Sequence, residues 1–436
     1  MSFKRALPVF ALLSAIVLGS CADYGNSLPD PKKSSPTDII PGGSVAENPF
    51  PAGYENPNAG PFSEDKMLVN IGVNVIAPAV REFSLKAEIL GLAIERECRA
   101  LANGRVGSNR AVEEAWKSAM LAFHAVNSAP IGPLQDNARA LLDGIYSWPY
   151  QSACGIDLLT LRMANGTALP TTLPINVKGL GALEYLLFEK TMSTRCNPNA
   201  YPQAAAWAAK PEAAKRLDRC RLANFLSRDL VARAKALDAA WDPKRGNFSK
   251  TLIDGSRYPS LKEATNALSD SLFSIEKLKD DRIGKPLGRH RDCISDSRKC
   301  PEMAEHAWSG MALPAGLAVL RGFEAAFFGA PLDSPDMAFG LDDFLRQIGR
   351  GDVADSVRTS LEAAIASLGP LSDGLSLQEQ ISAMNPDACA ASTPTDRKEP
   401  LCAFHQELRT LVTALKIEVL AALSLRTPAG HQGDND

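Results

Sequence analysis

Residues 178–188 read KGLGALEYLLF, an apolar stretch with a single carboxylate. Glu184 is the only charged residue between Leu180 and Phe188. A helix that is apolar on all sides is a buried helix, and a buried carboxylate is costly unless it is paired, bound to a metal or protonated. The stretch therefore predicts a buried helix with one carboxylate. That carboxylate either serves a site, or it caps a neighbouring helix or pairs with a buried arginine.

The helical texture continues on both sides of this stretch. Apolar residues recur at helical spacing from Ser63 to about residue 425, and clear alternating strand patterns are absent. We predict an all-α protein of ten or more helices with bundle packing. Pro78 is expected to kink or split the first helix. Pro301 is expected to begin a helix over about 301–328.

The N-terminal segment is typical of an exported lipoprotein. Lys4 and Arg5 precede an apolar run, residues 6–18, that is too short to span a bilayer, and Leu18-Gly19-Ser20-Cys21 closes it. We predict a signal peptide over residues 1–20 and a lipid on Cys21, which makes the membrane a partner. A plain secretory signal with a chance cysteine is the alternative.

Residues 21–62 are dominated by Pro, Gly, Ser and Asn and show no apolar period, which predicts a flexible tether. Ala22 follows the cysteine at a position where aspartate would favour the inner membrane. We therefore expect an anchor in the outer membrane, facing the periplasm. The formal net charge of the whole chain is −3, which argues against nucleic acid as a main partner.

Export changes how the remaining cysteines are interpreted. Nine cysteines less Cys21 leave eight, and an even number in an oxidising compartment predicts disulfides. No C-x-x-C pair occurs, so a thiolate zinc site is not expected. Many connectivities are open, and proximity favours four pairs: Cys293 with Cys300, Cys389 with Cys402, Cys196 with Cys220, and Cys98 with Cys154.

The stretch around Glu184 resembles the signature G-x-H-x-x-E of the imelysin-like family, named after an insulin-cleaving membrane protease. Gly179 and Glu184 match the signature, and Gly181 stands where the family has histidine. Further blocks resemble the family in order and spacing: Ile76 to Cys98, Trp116 to Leu134, Tyr146 to Pro149, Cys154 to Asp157, Glu305 to Gly310, and Gly340 to Leu345.

The resemblance implies an exported or lipid-anchored protein with two helical lobes and the signature helix between them. A chain of this length is also larger than one hydrophobic core usually supports, which favours two lobes. We place them at about 63–245 and about 246–427. The family is associated with bacterial iron uptake, so components of that system in the cell envelope are candidate partners. Its His and Glu imply metal binding, iron or zinc. Replacement of the histidine by Gly181 leaves metal binding open.

Four further residues are candidates for a ligand site with Glu184 and Gly181. His124 lies on an apolar helical stripe and could supply the missing imidazole, or it is a satisfied core histidine. His306 and Ser309 are three apart on the helix predicted after Pro301 and would share a face; hydrogen bonding at the surface or between lobes is the alternative. Asp157 is a second acidic candidate, or it is a helix cap or an exposed loop carboxylate. The loop 281–300 is interpreted as solvated, and an anion or partner site is the alternative.

Three functions fit these residues. The first is an exported lipoprotein that binds a ligand, a metal ion among the candidates, between the lobes in support of iron uptake. The second is a metallopeptidase of the imelysin type, although neither H-E-x-x-H nor G-x-S-x-G occurs. The third is a docking lipoprotein without a metal.

Overall fold

The computed structural model describes residues 50–105, 109–331 and 338–428. The protein is 65% helical and none of its described residues lies in a strand, which confirms the all-α prediction. The described residues belong to one compact unit. The division into two lobes near residue 245 stays a prediction. The predicted signal peptide and Cys21 lie outside the described residues.

Within residues 50–105 and 109–245 there are eight α-helices: α1 (Glu64–Asn70), α2 (Ala77–Ala102), α3 (Arg110–Val126), α4 (Asp136–Ile145), α5 (Ala153–Ala164), α6 (Gly179–Phe188), α7 (Gln203–Ala208) and α8 (Glu212–Trp241). Ten more follow among the described residues: α9 (Phe248–Thr251), α10 (Leu261–Leu272), α11 (Ser274–Lys277), α12 (Ala312–Phe328), α13 (Leu341–Gln347), α14 (Gly351–Ser372), α15 (Leu377–Ala383), α16 (Pro386–Ala390), α17 (Pro400–Thr413) and α18 (Leu420–Ala422).

Short 3₁₀ and π segments connect several of these helices. The 3₁₀ turns are Gly132–Leu134, Ile175–Val177 and Pro301–Met303, and the π segments are Ile71–Ile76, Leu278–Gly284 and Ala414–Val419. The first π segment ends at Ile76, two residues before Pro78, which lies inside a continuous helix and lacks a backbone N–H donor there. Pro78 thus marks the change from π to α geometry in one continuous helix.

The continuous helix Glu64–Ala102 is long and apolar enough, by length and composition alone, to cross a membrane. Half of its most apolar window is buried inside the protein, and the core helices of soluble proteins have the same composition. Its buried face packs against α3 and α8. The residues of that face recur at helical spacing: Val80, Phe83, Ala87, Leu90 and Ile94.

Helix α6 is the buried helix that the sequence predicts. All of its residues except Leu187 are buried, and it packs against α3 and α8. It begins at Gly179, whose φ of +73° favours glycine, and a Cβ there would lie 2.2 Å from the carbonyl oxygen of Ile145. Trp116 donates from Nε1 to the carbonyl oxygen of Leu180 at 3.0 Å. These contacts fix the position and rotation of the helix that carries Glu184.

The last part of the predicted tether contacts the helical body. The ring of Phe62 lies 5.4 Å from that of Phe339 and 5.7 Å from that of Phe344. Asn58 accepts from the backbone N–H of Phe339 at 2.9 Å and donates to Asn70 at 3.0 Å. Residues 50–62 are therefore held against the body, and the part of the tether before residue 50 lies outside the described residues.

All eight cysteines other than Cys21 form disulfides. The two short-loop pairs, Cys293–Cys300 and Cys389–Cys402, confirm the prediction. The other two predicted pairs are wrong, because the bonds are Cys98–Cys220 and Cys154–Cys196. Cys98 lies on α2 and Cys220 on α8, and the packing of these two long helices brings their Cα atoms to 5.5 Å across 122 residues.

Candidate functional site

The Glu184 carboxylate is buried, with 2% of the residue exposed, and both of its oxygens have partners. Oε2 lies 2.9 Å from Nδ1 of His306. Oε1 accepts two hydrogen bonds from Ser309, one from the backbone N–H at 3.1 Å and one from the hydroxyl at 2.9 Å. The charge of Glu184 is thus satisfied by specific donors from one distant segment of the chain.

The other nitrogen of His306 faces a second histidine. Nε2 of His306 lies 3.0 Å from Nε2 of His124, which α3 positions, and both rings are fully buried. Trp116 packs edge-on against the His306 ring at 5.7 Å, and Tyr146 stacks on it at 5.8 Å. The structure therefore brings Glu184, His306, Ser309 and His124, four of the predicted site residues, into one buried cluster.

Three residues that the sequence analysis did not select complete this cluster. Arg282, from the π segment Leu278–Gly284, places Nη1 3.2 Å from Nδ1 of His124. Its Nε lies 3.1 Å from Oε2 of Glu305. Tyr146, which follows α4, donates its hydroxyl to Oε1 of Glu305 at 2.8 Å. Glu305 could have been found from the sequence, because it directly precedes the candidate His306 and carboxylate and imidazole are both metal ligands.

The partners of the two rings determine where their protons lie. A guanidinium only donates, so Nδ1 of His124 accepts from Arg282 and a neutral His124 carries its proton on Nε2. When His306 is neutral, that proton is donated to its Nε2, and its Nδ1–H is donated to Glu184. One hydrogen-bond chain therefore runs from Arg282 through both imidazoles to Glu184.

Burial and charge act on the two histidines in different directions. Burial, followed by the charge of Arg282, holds the pKa of His124 well below its usual value. Burial also lowers the pKa of His306, but the Glu184 and Glu305 carboxylates outweigh it and raise that pKa. Burial and Glu305 raise the pKa of Tyr146, so the phenol stays a neutral donor. The electrostatic field at the His306 ring therefore favours positive charge.

His124, Glu305 and His306 form a donor set that fits a metal ion. Their potential ligand atoms lie within 4.8 Å of one another, and all three residues are buried. Imidazole and carboxylate ligands suit iron and zinc. Glu184 stands behind His306 as the carboxylate that commonly accepts from the far nitrogen of a ligating histidine. The positive charge of Arg282 opposes metal binding, because it lies beside two of the three donors, His124 and Glu305.

The predicted candidates Gly181 and Asp157 lie in other surroundings. A Cβ on Gly181 would lie 2.4 Å from Nε2 of Gln151, so Gln151 fills the space beside position 181. Asp157 accepts from the Tyr185 hydroxyl at 2.9 Å and from the backbone N–H of Arg195 at 2.7 Å, and Arg219 lies 3.6 Å away. Asp157 thus belongs to a separate buried ion cluster rather than to the histidine cluster.

Two expectations about the chain near residue 300 are wrong. The predicted helix 301–328 is a 3₁₀ turn at Pro301–Met303 followed by an irregular segment, and α12 begins only at Ala312. His306 has a φ of +55°, which lies in the left-handed region, so it is not part of a regular right-handed helix. It faces Glu184 together with Ser309 because the segment turns there, and not because the two share a helical face. The predicted solvated loop 281–300 includes Arg282, which is buried in the cluster.

Comparisons with known proteins agree with this architecture. The sequence model of the family described as Imelysin, peptidase M75, matches residues 87–415. An imelysin-like protein from Psychrobacter arcticum 273-4 has a TM-score of 0.57 at 16% identity, over 84% of this chain and 98% of that one. A candidate iron-regulated protein A precursor from Parabacteroides distasonis ATCC 8503 has a TM-score of 0.60 at 14% identity, over 84% of this chain and 97% of that one.

No curated protein matches the chain. The two solved structures are similar in fold alone, since their identity is low. The family match covers most of the chain, from the middle of α2 to the π segment after α17. The chain belongs to the imelysin family.

Proposed function

We propose that this chain is a lipid-anchored envelope protein that binds a transition-metal ion at His124, Glu305 and His306 in support of bacterial iron uptake. The observation that carries the proposal is the pair of buried imidazoles whose Nε2 atoms face each other at 3.0 Å beside a buried carboxylate. Buried imidazole pairs with a carboxylate at hand are suited to iron or zinc.

The neighbouring residues support this assignment by holding the donors in place. Glu184 accepts from Nδ1 of His306, which leaves Nε2 of that ring as the ligand nitrogen. Tyr146 holds one oxygen of Glu305. A metal at the two Nε2 atoms would displace the proton that His124 carries on Nε2. Nδ1 of that ring faces Arg282 and has no room for it, so binding is expected to release a proton and to weaken as the pH falls.

The iron context rests on relatives rather than on the site. The family is the imelysin family, and a neighbour of similar fold is a candidate iron-regulated protein A precursor.

The envelope location rests on the Leu18-Gly19-Ser20-Cys21 run and on the disulfides, which persist in oxidising compartments. Cys21→Ala is expected to move the protein from the membrane fraction to the soluble fraction. An unchanged membrane fraction would contradict the lipid anchor.

The metal proposal is tested by titrating Fe²⁺, without oxygen, and Zn²⁺ into the purified chelator-treated protein. We expect one ion per chain, and we expect His306→Gln or His124→Gln to weaken binding at least tenfold. His290→Asn is the matched control, since this partly exposed histidine lies in the loop before Cys293 and faces Asp292. Equal affinity in wild type and His306→Gln would exclude this site.

A further inference from the structure

A cavity of about 570 Å³ lies beside the histidine cluster, and Arg282 belongs to both. This volume is within the range of small-molecule sites. Among the described residues that line the cavity, four side chains are cationic and one is anionic: Arg139, Arg257, Lys277 and Arg282, against Asp270. Asp270 is paired with Arg426 at 3.1 Å, and each arginine of the lining is paired with a carboxylate outside it: Arg257 with Asp136, Arg139 with Asp143 and Arg282 with Glu305. Lys277 is the lining cation that forms no ion pair with the described residues.

One guanidinium group of this lining has an N–H donor that no described residue accepts. Nε of Arg139 is buried without such an acceptor, and the Asp143 carboxylate lies 3.4 Å from Nη2 of the same side chain. Nε of Arg282, in contrast, faces the Glu305 carboxylate at 3.1 Å as an ion pair. A buried donor without an acceptor is costly. Nε of Arg139 therefore indicates that an acceptor from outside the chain completes this surface.

Lys277 adds positive charge at the same place. Its side chain reaches solvent, but desolvation by the surrounding residues lowers its pKa, and the charge of Arg139 lowers it further, while Asp281 offsets part of this. Asp281 is in turn paired with Lys285 at 2.9 Å. A bound anion would relieve the repulsion between Lys277 and Arg139.

We infer that this cavity is a binding site for a small oxyanion, a carboxylate or a phosphate. Arginine forks bind carboxylates and phosphates with two parallel hydrogen bonds, and three arginines line the cavity. Carboxylate and phosphate share this chemistry, so either class fits the lining. The inference does not require the metal site, although Arg282 adjoins both.

The test is calorimetric titration of metal-free protein with citrate and, separately, with inorganic phosphate at low ionic strength, where charge contacts are least screened. We expect one of the two to bind with a stoichiometry of one, and Lys277→Met to weaken that binding about tenfold. Lys398→Met is the matched control, because this lysine is half exposed and does not line the cavity. Tighter binding of citrate would show that the cavity binds carboxylates, and tighter binding of phosphate would show that it binds phosphates.

His306→Gln separates this inference from the metal proposal. It should weaken metal binding at least tenfold and leave anion binding unchanged. Absence of binding by both anions would overturn the inference, and so would binding that Lys277→Met does not weaken, since such an anion would be adventitious. Arg139→Gln serves as a second variant and should weaken the same anion.

Discussion

The Nε2 atoms of His124 and His306 lie 3.0 Å apart, although 182 residues separate the two histidines along the chain. Helix α3 positions one ring, and the irregular segment before α12 positions the other. Their contact is fully buried and is flanked by Glu184 on one side and Arg282 on the other. The centre of the molecule therefore contains a continuous polar chain between an anion and a cation, with two imidazoles in between.

Glu184→Gln tests the orientation of His306. The amide can still accept from Ser309, but its NH₂ would face Nδ1 of His306 and oppose the tautomer that donates to Glu184. We expect the free energy of unfolding to fall by about 1–3 kcal/mol and metal affinity to fall by about 10–100-fold. Chemical denaturation and metal titration measure the two effects. If stability and affinity both stay at the wild-type level, Glu184 does not orient His306.

Arg282→Gln tests the charge that opposes a metal. The variant removes one positive charge beside His124 and Glu305. We expect the metal-free protein to lose stability because the Glu305 carboxylate is left buried without its partner, and the affinity for Zn²⁺ to rise at least tenfold. Arg298→Gln, which breaks an exposed pair with Asp387, is the control. Lower Zn²⁺ affinity in a folded Arg282→Gln protein would show that the arginine supports the metal instead.

Gly181→His restores the family signature, but the new side chain would overlap the side chain of Gln151. Its Cβ would lie 2.4 Å from Nε2 of Gln151, a buried atom without a hydrogen-bond partner among the described residues. We expect Gly181→His alone to be destabilising, by about 1–3 kcal/mol for an overpacked site, and Gln151→Ala to relieve most of that cost. A double-mutant cycle by denaturation measures the coupling. Additive effects of the two changes would mean that Gln151 does not block position 181.

The disulfides should differ in how much they stabilise the protein. Loop-closure entropy predicts about 5 kcal/mol for Cys98–Cys220, which closes 122 residues, and about 2 kcal/mol for Cys293–Cys300, which closes 7. Replacing each pair by serines and comparing thermal unfolding checks this order. An equal loss from both pairs would show that loop length does not govern their contribution.

Asp342 should make the protein less stable as the pH rises. Burial, followed by the charge of Asp343, raises the pKa of Asp342 from 3.8 to about 7, although Arg358 lies 3.5 Å away. Between these pH values the folded protein holds a proton that the unfolded chain has lost, so the free energy of unfolding falls as the pH rises.

Asp342→Asn removes this titration. Relative to the variant, we expect the wild type to lose on the order of 2–4 kcal/mol between about pH 4 and pH 8. Denaturation at several pH values measures the difference, and Asp387→Asn is the exposed control. Parallel pH profiles for wild type and Asp342→Asn would contradict the raised pKa.

The sequence by itself determined the helical class and the buried character of α6, because both follow from local periodicity and from the single charge between Leu180 and Phe188. Disulfides that close short loops, such as Cys293–Cys300, were also predictable, because cysteines close in sequence can pair without help from the tertiary packing. The four candidates Glu184, His124, His306 and Ser309 were selected singly, from their surroundings and from the family resemblance.

Only the tertiary structure decided how these residues meet. The pairing of Cys98 with Cys220 required the packing of α2 on α8, and the position of Arg282 required the π segment that turns it inward. His306 reaches Glu184 through a left-handed backbone conformation that a helical pattern conceals. Contacts across more than a hundred residues depend on how buried helices pack, and local sequence periodicity carries no information about which faces will meet.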